Sequence, residues 1–216
     1  MRRGLRLAAT LSALVLLAGC TEGPAVTRSS ESPASTSSTP TVTPAPDSSG
    51  LAGAKRAAGI ADCPTSDAEV PATAGGLPDE VLPCLGGGRP VRLAGLRGRP
   101  MIINVWAQWC APCRQEAPFL AEVGSSATAD DDLVVLGIDH QDPEPEAAIE
   151  FARAASWTYP QLQDTEQVLR TDLRVTALPV TVFVRADGTI AYRNFVPFTS
   201  ADQIRALARQ HLGVSP

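Results

Sequence analysis

Short apolar runs broken by polar or turn-forming residues fill the second half of the chain. Met101-Ile102-Ile103-Asn104-Val105-Trp106 is apolar at every position but Asn104 and predicts a strand buried on both faces. Leu133 to Ile138 and Val180 to Val184 have the same character and predict two more strands. Pro90 to Leu93 suits a short strand ahead of them. Between the strands the spacing of apolar residues lengthens. Pro112 to about Val123 reads as a helix with Phe119, Leu120 and Val123 on one side, and Glu144 to Ala155 as a helix opened by prolines. Asp187-Gly188 is a hairpin signal, with Thr189 to Phe195 as the returning strand. Ala201 to Leu212 reads as a closing helix, capped by Ser200 and stopped by Gly213. The order β-α-β-α-β-β-α predicts an α/β fold. Helix-linked strands should be parallel, and the late hairpin should add an antiparallel edge.

The first half is patterned differently. Met1 to Arg6 is basic, and Leu7 to Ala18 is almost wholly apolar yet short for a bilayer span, as in a secretory leader. Leu17-Ala18-Gly19-Cys20 resembles the lipobox of bacterial lipoproteins, which implies cleavage before Cys20 and lipidation of its sulfur. Residues 21 to about 50 are rich in Ser, Thr and Pro and have little to bury, so a disordered tether reaching roughly 30 Å is expected. Residues 51 to 88 show no sustained period and hold Cys63 and Cys84. The expected organisation is a leader over 1–19, a lipid-anchored linker over 20–50, an extension over 51–88 and the α/β domain over 89–216.

Composition narrows the function. The chain has 216 residues, 44% of them hydrophobic, which is enough for one packed domain with flanking segments. The net charge is −5 with no basic stripe, which argues against nucleic-acid binding. Lys55 is the only lysine.

The chemistry concentrates in Trp106-Ala107-Gln108-Trp109-Cys110-Ala111-Pro112-Cys113, where strand passes into helix. A thiol attacks a disulfide only as thiolate, and a helix N-terminus favours that form. Cys110 is placed there and is the expected attacking sulfur. Cys113, one turn further in, is the expected resolving sulfur. Pro112 restrains the turn between them.

Asn-Val-Trp-Ala-Gln-Trp-Cys-Ala-Pro-Cys-Arg-Gln-Glu-Ala-Pro, from Asn104 to Pro118, resembles the thioredoxin superfamily. Within it the similarity is to the membrane-associated TlpA, ResA and CcmG branch. Thr176-Ala177-Leu178-Pro179-Val180-Thr181 resembles that family's cis-proline loop. The likeness runs from about Gly86 to the C-terminus. It implies a thioredoxin fold, a Cys110–Cys113 redox disulfide and a cis Pro179 beside Cys110. Asn104 stands where thioredoxin proper has a buried Asp, so Glu116, three residues after Cys113, is the candidate for tuning the thiols and moving a proton. An exposed carboxylate without a role is the alternative. Trp109 is expected at the mouth of the site and Trp106 in the core. His140 is expected in a solvated loop, and His211 as a favourable charge near the last helix end. Asp139 and Asp142 lack convergent ligand spacing. No metal or cofactor is expected.

With Cys20 lipidated, four cysteines allow three pairings. If the resemblance pairs Cys110 with Cys113, Cys63 is left to Cys84. A structural staple worth about 3 kcal/mol is one reading of that bond, and a second redox pair is the other. The resemblance further implies reduction of disulfides in exported proteins such as apocytochrome c. The site would be the outer face of a bacterial cytoplasmic membrane, with electrons from a membrane thiol donor of the CcdA type and a monomeric protein. A disulfide-forming oxidase and a redox-inactive binding or scaffolding lipoprotein are the alternatives. Peroxidase chemistry fits the Cys-x-x-Cys placement poorly.

Overall fold

In the computed structural model the described residues are 48–130, 133–214 and 216. The leader, Cys20 and most of the tether lie outside them. Five strands form the main sheet: β3 (Met101–Trp106), β4 (Val134–His140), β5 (Gln161–Asp164), β6 (Val180–Val184) and β7 (Ile190–Asn194), in the order β5-β4-β3-β6-β7. β4 runs parallel to both β3 and β5, while β6 is antiparallel to β3 and β7. The mixed sheet follows from the connections. Helix α2 (Ala111–Asp130) links β3 to β4 and α3 (Pro145–Ala154) links β4 to β5, and such crossovers give parallel neighbours. The β6–β7 hairpin turns at Asp187-Gly188, where Gly188 takes a φ of 81°.

β3 is central, and all six of its residues are buried. Alternation sends Ile102, Asn104 and Trp106 toward the helices and Met101, Ile103 and Val105 toward the other face. On the helix side Leu120, Val123, Phe183, Ile204 and Ala208 pack with them, and Trp106, Phe151, Trp157 and Tyr159 form a ring cluster with centroids 5.0–5.4 Å apart. The other face is covered by Leu77, Leu93, Leu96, Leu169 and Leu173. Helix α4 (Ala201–Leu212) starts with the Ser200 side chain accepting from the Gln203 amide and ends at Gly213 with φ 73°.

Three parts differ from the pattern-based expectation. The β5 strand was absent from it because Gln161-Leu162-Gln163-Asp164 is too polar to read as a strand. Its polar groups are satisfied internally instead: Gln161 accepts from the Trp106 indole, and Asp164 meets His140 and two backbone amides. Helix α2 continues past Val123 to Asp130, through Pro118. The extension is not irregular throughout. Helix α1 (Ser48–Ala57) straddles the expected boundary at residue 50 and packs on α3, and β1 (Val81–Leu82) pairs with β2 (Val91–Arg92). Residues 83–85 then run along the β5 edge, with the Gln163 amide donating to Pro83 and the Leu85 amide to Gln161. That contact covers an edge otherwise open to pairing.

Candidate active site

The end of β3 delivers the chain into Ala107-Gln108-Trp109, and α2 starts directly after Cys110. Cys110 and Cys113 are joined in a disulfide with Cα atoms 5.3 Å apart. Cys113 is fully buried and Cys110 nearly so, at 4% exposure. The Cys113 amide points at the Cys110 sulfur from 3.2 Å. On reduction that amide and the helix terminus favour negative charge on Cys110. Arg114 ties the loop to the helix through its guanidinium, whose Nε donates to the Gln108 carbonyl at 2.9 Å. Trp109 is half exposed, with its indole N–H donating to the Gln141 carbonyl, and offers a flat apolar surface at the mouth. Trp106 is fully buried. Pro112 is an exposed residue of the first turn. Leu178–Pro179 is cis and leads into β6, which pairs with β3 through Val180 opposite Val105.

Further along α2 comes a buried polar group. Glu116 is one turn beyond Cys113 and has no exposed surface. Its Oε1 accepts from the Asn104 side-chain amide at 3.0 Å, and its Oε2 from the Phe198 backbone amide at 3.0 Å. Asn104 also donates to the Thr181 hydroxyl at 3.1 Å. β3, β6, α2 and the loop before α4 thus meet at one carboxyl group. Loss of water raises its pKa to about 7, although the Phe198 and Asn104 hydrogen bonds pull the other way. The alternative of an exposed carboxylate is therefore excluded by the fold. A carboxyl group that titrates near neutrality behind a dithiol can hold or release a proton during exchange.

Asp139 and Asp142, weighed in the sequence only as possible cation ligands, lie at and just beyond the neighbouring strand end. Asp139, opposite Trp106 on β4, is buried, and neither carboxyl oxygen receives a hydrogen bond from an N–H or hydroxyl group; its polar neighbour is the Asp142 carboxyl. Burial first, and the adjacent Asp142 second, push its pKa up to about 9. Asp142 is buried too and accepts from the Gln108 amide at 3.1 Å, two residues before Cys110. The only available signal was an Asp at the end of an apolar strand. The expectation for His140 is corrected: it closes β4, is buried, and its Nδ1 lies 2.8 Å from Asp164 Oδ2. His211, in the last turn of α4, stacks on Tyr192 with ring centroids 4.4 Å apart.

The second bond, Cys63–Cys84, is formed as well, with Cα atoms 5.9 Å apart. Cys84 is buried against β5, where it bridges to Leu162, while Cys63 is half-buried.

Known proteins are similar to this chain in sequence and fold. The thiol:disulfide interchange protein DsbE of Pseudomonas fluorescens biotype C is 33% identical over 109 residues, covering 50% of this chain and 58% of that protein. The thiol:disulfide interchange protein CycY of Rhizobium leguminosarum bv. viciae is 32% identical over 108 residues, covering 50% and 55%. The chain thus spans little more than half the length of these relatives. A secreted Mycobacterium tuberculosis disulfide oxidoreductase, described as homologous to DsbE of E. coli, superposes with a TM-score of 0.51 at 28% identity, over 58% of this chain and 91% of that one. A secreted thiol-disulfide isomerase from Corynebacterium glutamicum shares the fold, with a TM-score of 0.57 at 24% identity over 64% and 86%. The profile of the AhpC/TSA family matches residues 75–193, from the extension through Cys110, Cys113 and the cis Pro179 to β7. The chain has a thioredoxin-like fold and belongs to the AhpC/TSA family.

Proposed function

We propose that the chain is an extracytoplasmic thiol–disulfide oxidoreductase that reduces disulfides in exported proteins through Cys110 and Cys113. The observation that carries this reading is the Cys110–Cys113 disulfide at the start of α2, with the buried Glu116 behind it. In the reduced protein the Cys110 thiolate attacks one sulfur of a substrate disulfide, and the other sulfur leaves as a thiolate. The Cys113 thiolate then attacks Cys110, releasing the second substrate sulfur and closing the internal disulfide. Two electrons pass to the substrate, and its two sulfurs take up protons. In this reading Glu116, one helical turn beyond Cys113, takes the Cys113 proton as that sulfur becomes nucleophilic; its burial and raised pKa support the role. The Pro179 loop and the Trp109 ring supply contact surface for substrate backbone.

The names of the relatives support interchange chemistry. Apocytochrome c as substrate rests on the resemblance to the CcmG branch. A lipid anchor on Cys20 and a membrane dithiol donor of the CcdA type complete the proposal, because a reductase outside the membrane needs electrons brought across it. Insulin reduction driven by dithiothreitol tests the activity. The wild type should accelerate it, and Cys110→Ser should fall to the uncatalysed rate. Equal rates for the two would leave only a binding or scaffolding role. A Cys110–Cys113 potential below about −200 mV marks a reductant, and one near −120 mV the disulfide-forming oxidase. Cys113→Ser should hold its substrate as a mixed disulfide on Cys110, which allows the substrate to be identified.

A further inference from the structure

The only lysine of the chain is buried against the second disulfide. Lys55, on α1, has 3% of its surface exposed, and its Nζ makes three contacts. It donates to Asp62 Oδ1 at 3.2 Å, to the Gly87 carbonyl at 3.2 Å and to the Cys84 sulfur at 3.1 Å. The backbone is shaped to allow this. Gly86, Gly87 and Gly88 all have positive φ, and a Cβ on Gly86 would collide with the Lys55 side chain.

A disulfide that serves only as a staple gains nothing from such a neighbour. Burying an ammonium is costly, and an apolar side chain of the same length would fill the space. The Asp62 carboxylate and the Gly87 carbonyl are good acceptors. A sulfur in a disulfide is a poor one. As a thiolate, the same atom would make a charge-assisted hydrogen bond with Lys55. The Lys55 contact therefore favours Cys84 as a thiolate over Cys84 in the disulfide. The two sulfurs are also unequal in access. Cys84 is buried, whereas Cys63 is half-buried and its neighbours Asp62 and Pro64 border a groove of about 220 Å³.

We propose that Cys63–Cys84 is a second thiol–disulfide exchange site, which accepts electrons from a dithiol reductant and has Lys55 as its leaving-group stabiliser. A thiolate of the reductant attacks Cys63, and the Cys63–Cys84 bond breaks with its electron pair going to Cys84. Lys55 holds the departing thiolate. The second thiol of the reductant, deprotonated, attacks its own sulfur bound to Cys63. Cys63 leaves and takes up a proton, and the reductant closes its own disulfide. The proposal does not depend on the Cys110–Cys113 reading, and one experiment follows both bonds separately.

The full chain is incubated with dithiothreitol at neutral pH without denaturant, quenched at intervals by alkylation, and both cysteine pairs are quantified by peptide mass spectrometry. Cys63–Cys84 should open faster than the protein unfolds. Lys55→Met should slow that opening roughly tenfold, since departure of a thiol speeds up as its acidity rises. Lys55→Arg should stay close to wild type, and Cys110–Cys113 should open at the same rate in all three proteins. Brief exposure of the wild type to glutathione should leave the adduct on Cys63. Opening no faster than unfolding, an unchanged rate in Lys55→Met, or an adduct on Cys84 would each overturn the proposal. If Lys55→Met does not fold, the wild-type opening rate and the adduct position decide.

Discussion

Glu116 shows how one side chain acquires a role from its surroundings. In sequence its distance from Cys113 makes it a candidate, but nothing local shows that it is buried while Glu122 on the same helix is exposed. Burial in the fold removes water from it and lifts its pKa to about 7, against the pull of its hydrogen bonds from Phe198 and Asn104. Below that pH it carries a proton, and above it it can take one from Cys113. The rate of mixed-disulfide resolution should therefore rise through an inflection near pH 7. Glu116→Gln keeps the shape and one accepting oxygen but cannot titrate. Stopped-flow measurements across pH 5 to 9 should show that inflection in the wild type and lose it in the variant. An unchanged profile would reduce Glu116 to a structural link between β3 and the loop before α4.

At the scale of elements, β4 and β5 meet in a way that fixes the residue at their crossing. Gly137 stands opposite both Asn104 and Gln161, and the Gln161 side chain lies across it to accept from the Trp106 indole at 3.0 Å. A Cβ at Gly137 would occupy the position of that amide. Gly137→Ala should cost about 3 kcal/mol, combining overpacking with a lost buried hydrogen bond. Urea denaturation measures this directly, and a loss under about 1 kcal/mol would mean that Gln161 can move aside freely. The same crossing explains why β5 is hard to read. Each of its faces carries a polar side chain, and the partners come from β3, from β4 and from the turn that follows β5.

For the molecule as a whole, the buried carboxyl groups set a direction for pH dependence. Glu116 and Asp139 keep their protons when folded at pH values where the unfolded chain has lost them. The stability they contribute is complete below their ordinary values and disappears as pH rises through the raised ones. For Glu116 the shift from 4.5 to about 7 corresponds to about 3 kcal/mol lost across that window. Asp139 extends the decline toward pH 9. Chemical denaturation of the oxidised protein at pH 5, 7 and 9 should give steadily lower stability, and Glu116→Gln with Asp139→Asn should flatten the trend. A maximum at pH 9 in the wild type would contradict the burial of both groups.

Apolar runs and turn signals were sufficient to place β3, β6 and α4 with their observed bounds, because each is specified locally. β3 and β6 are continuous apolar runs, and α4 carries its own cap and stop. The Cys-x-x-Cys pair was legible for the same reason, since its spacing and its place before a helix are local properties. Contacts between residues far apart in the chain were not. The burial of Glu116, the unpartnered oxygens of Asp139, the His140–Asp164 pair and the seat of Lys55 beside Cys84 depend on which segments the fold packs together. Sequence periodicity determines which face of an element avoids water. Only tertiary packing determines which polar groups are deprived of water and what they meet instead, and that deprivation is what shifts protons and poises sulfur.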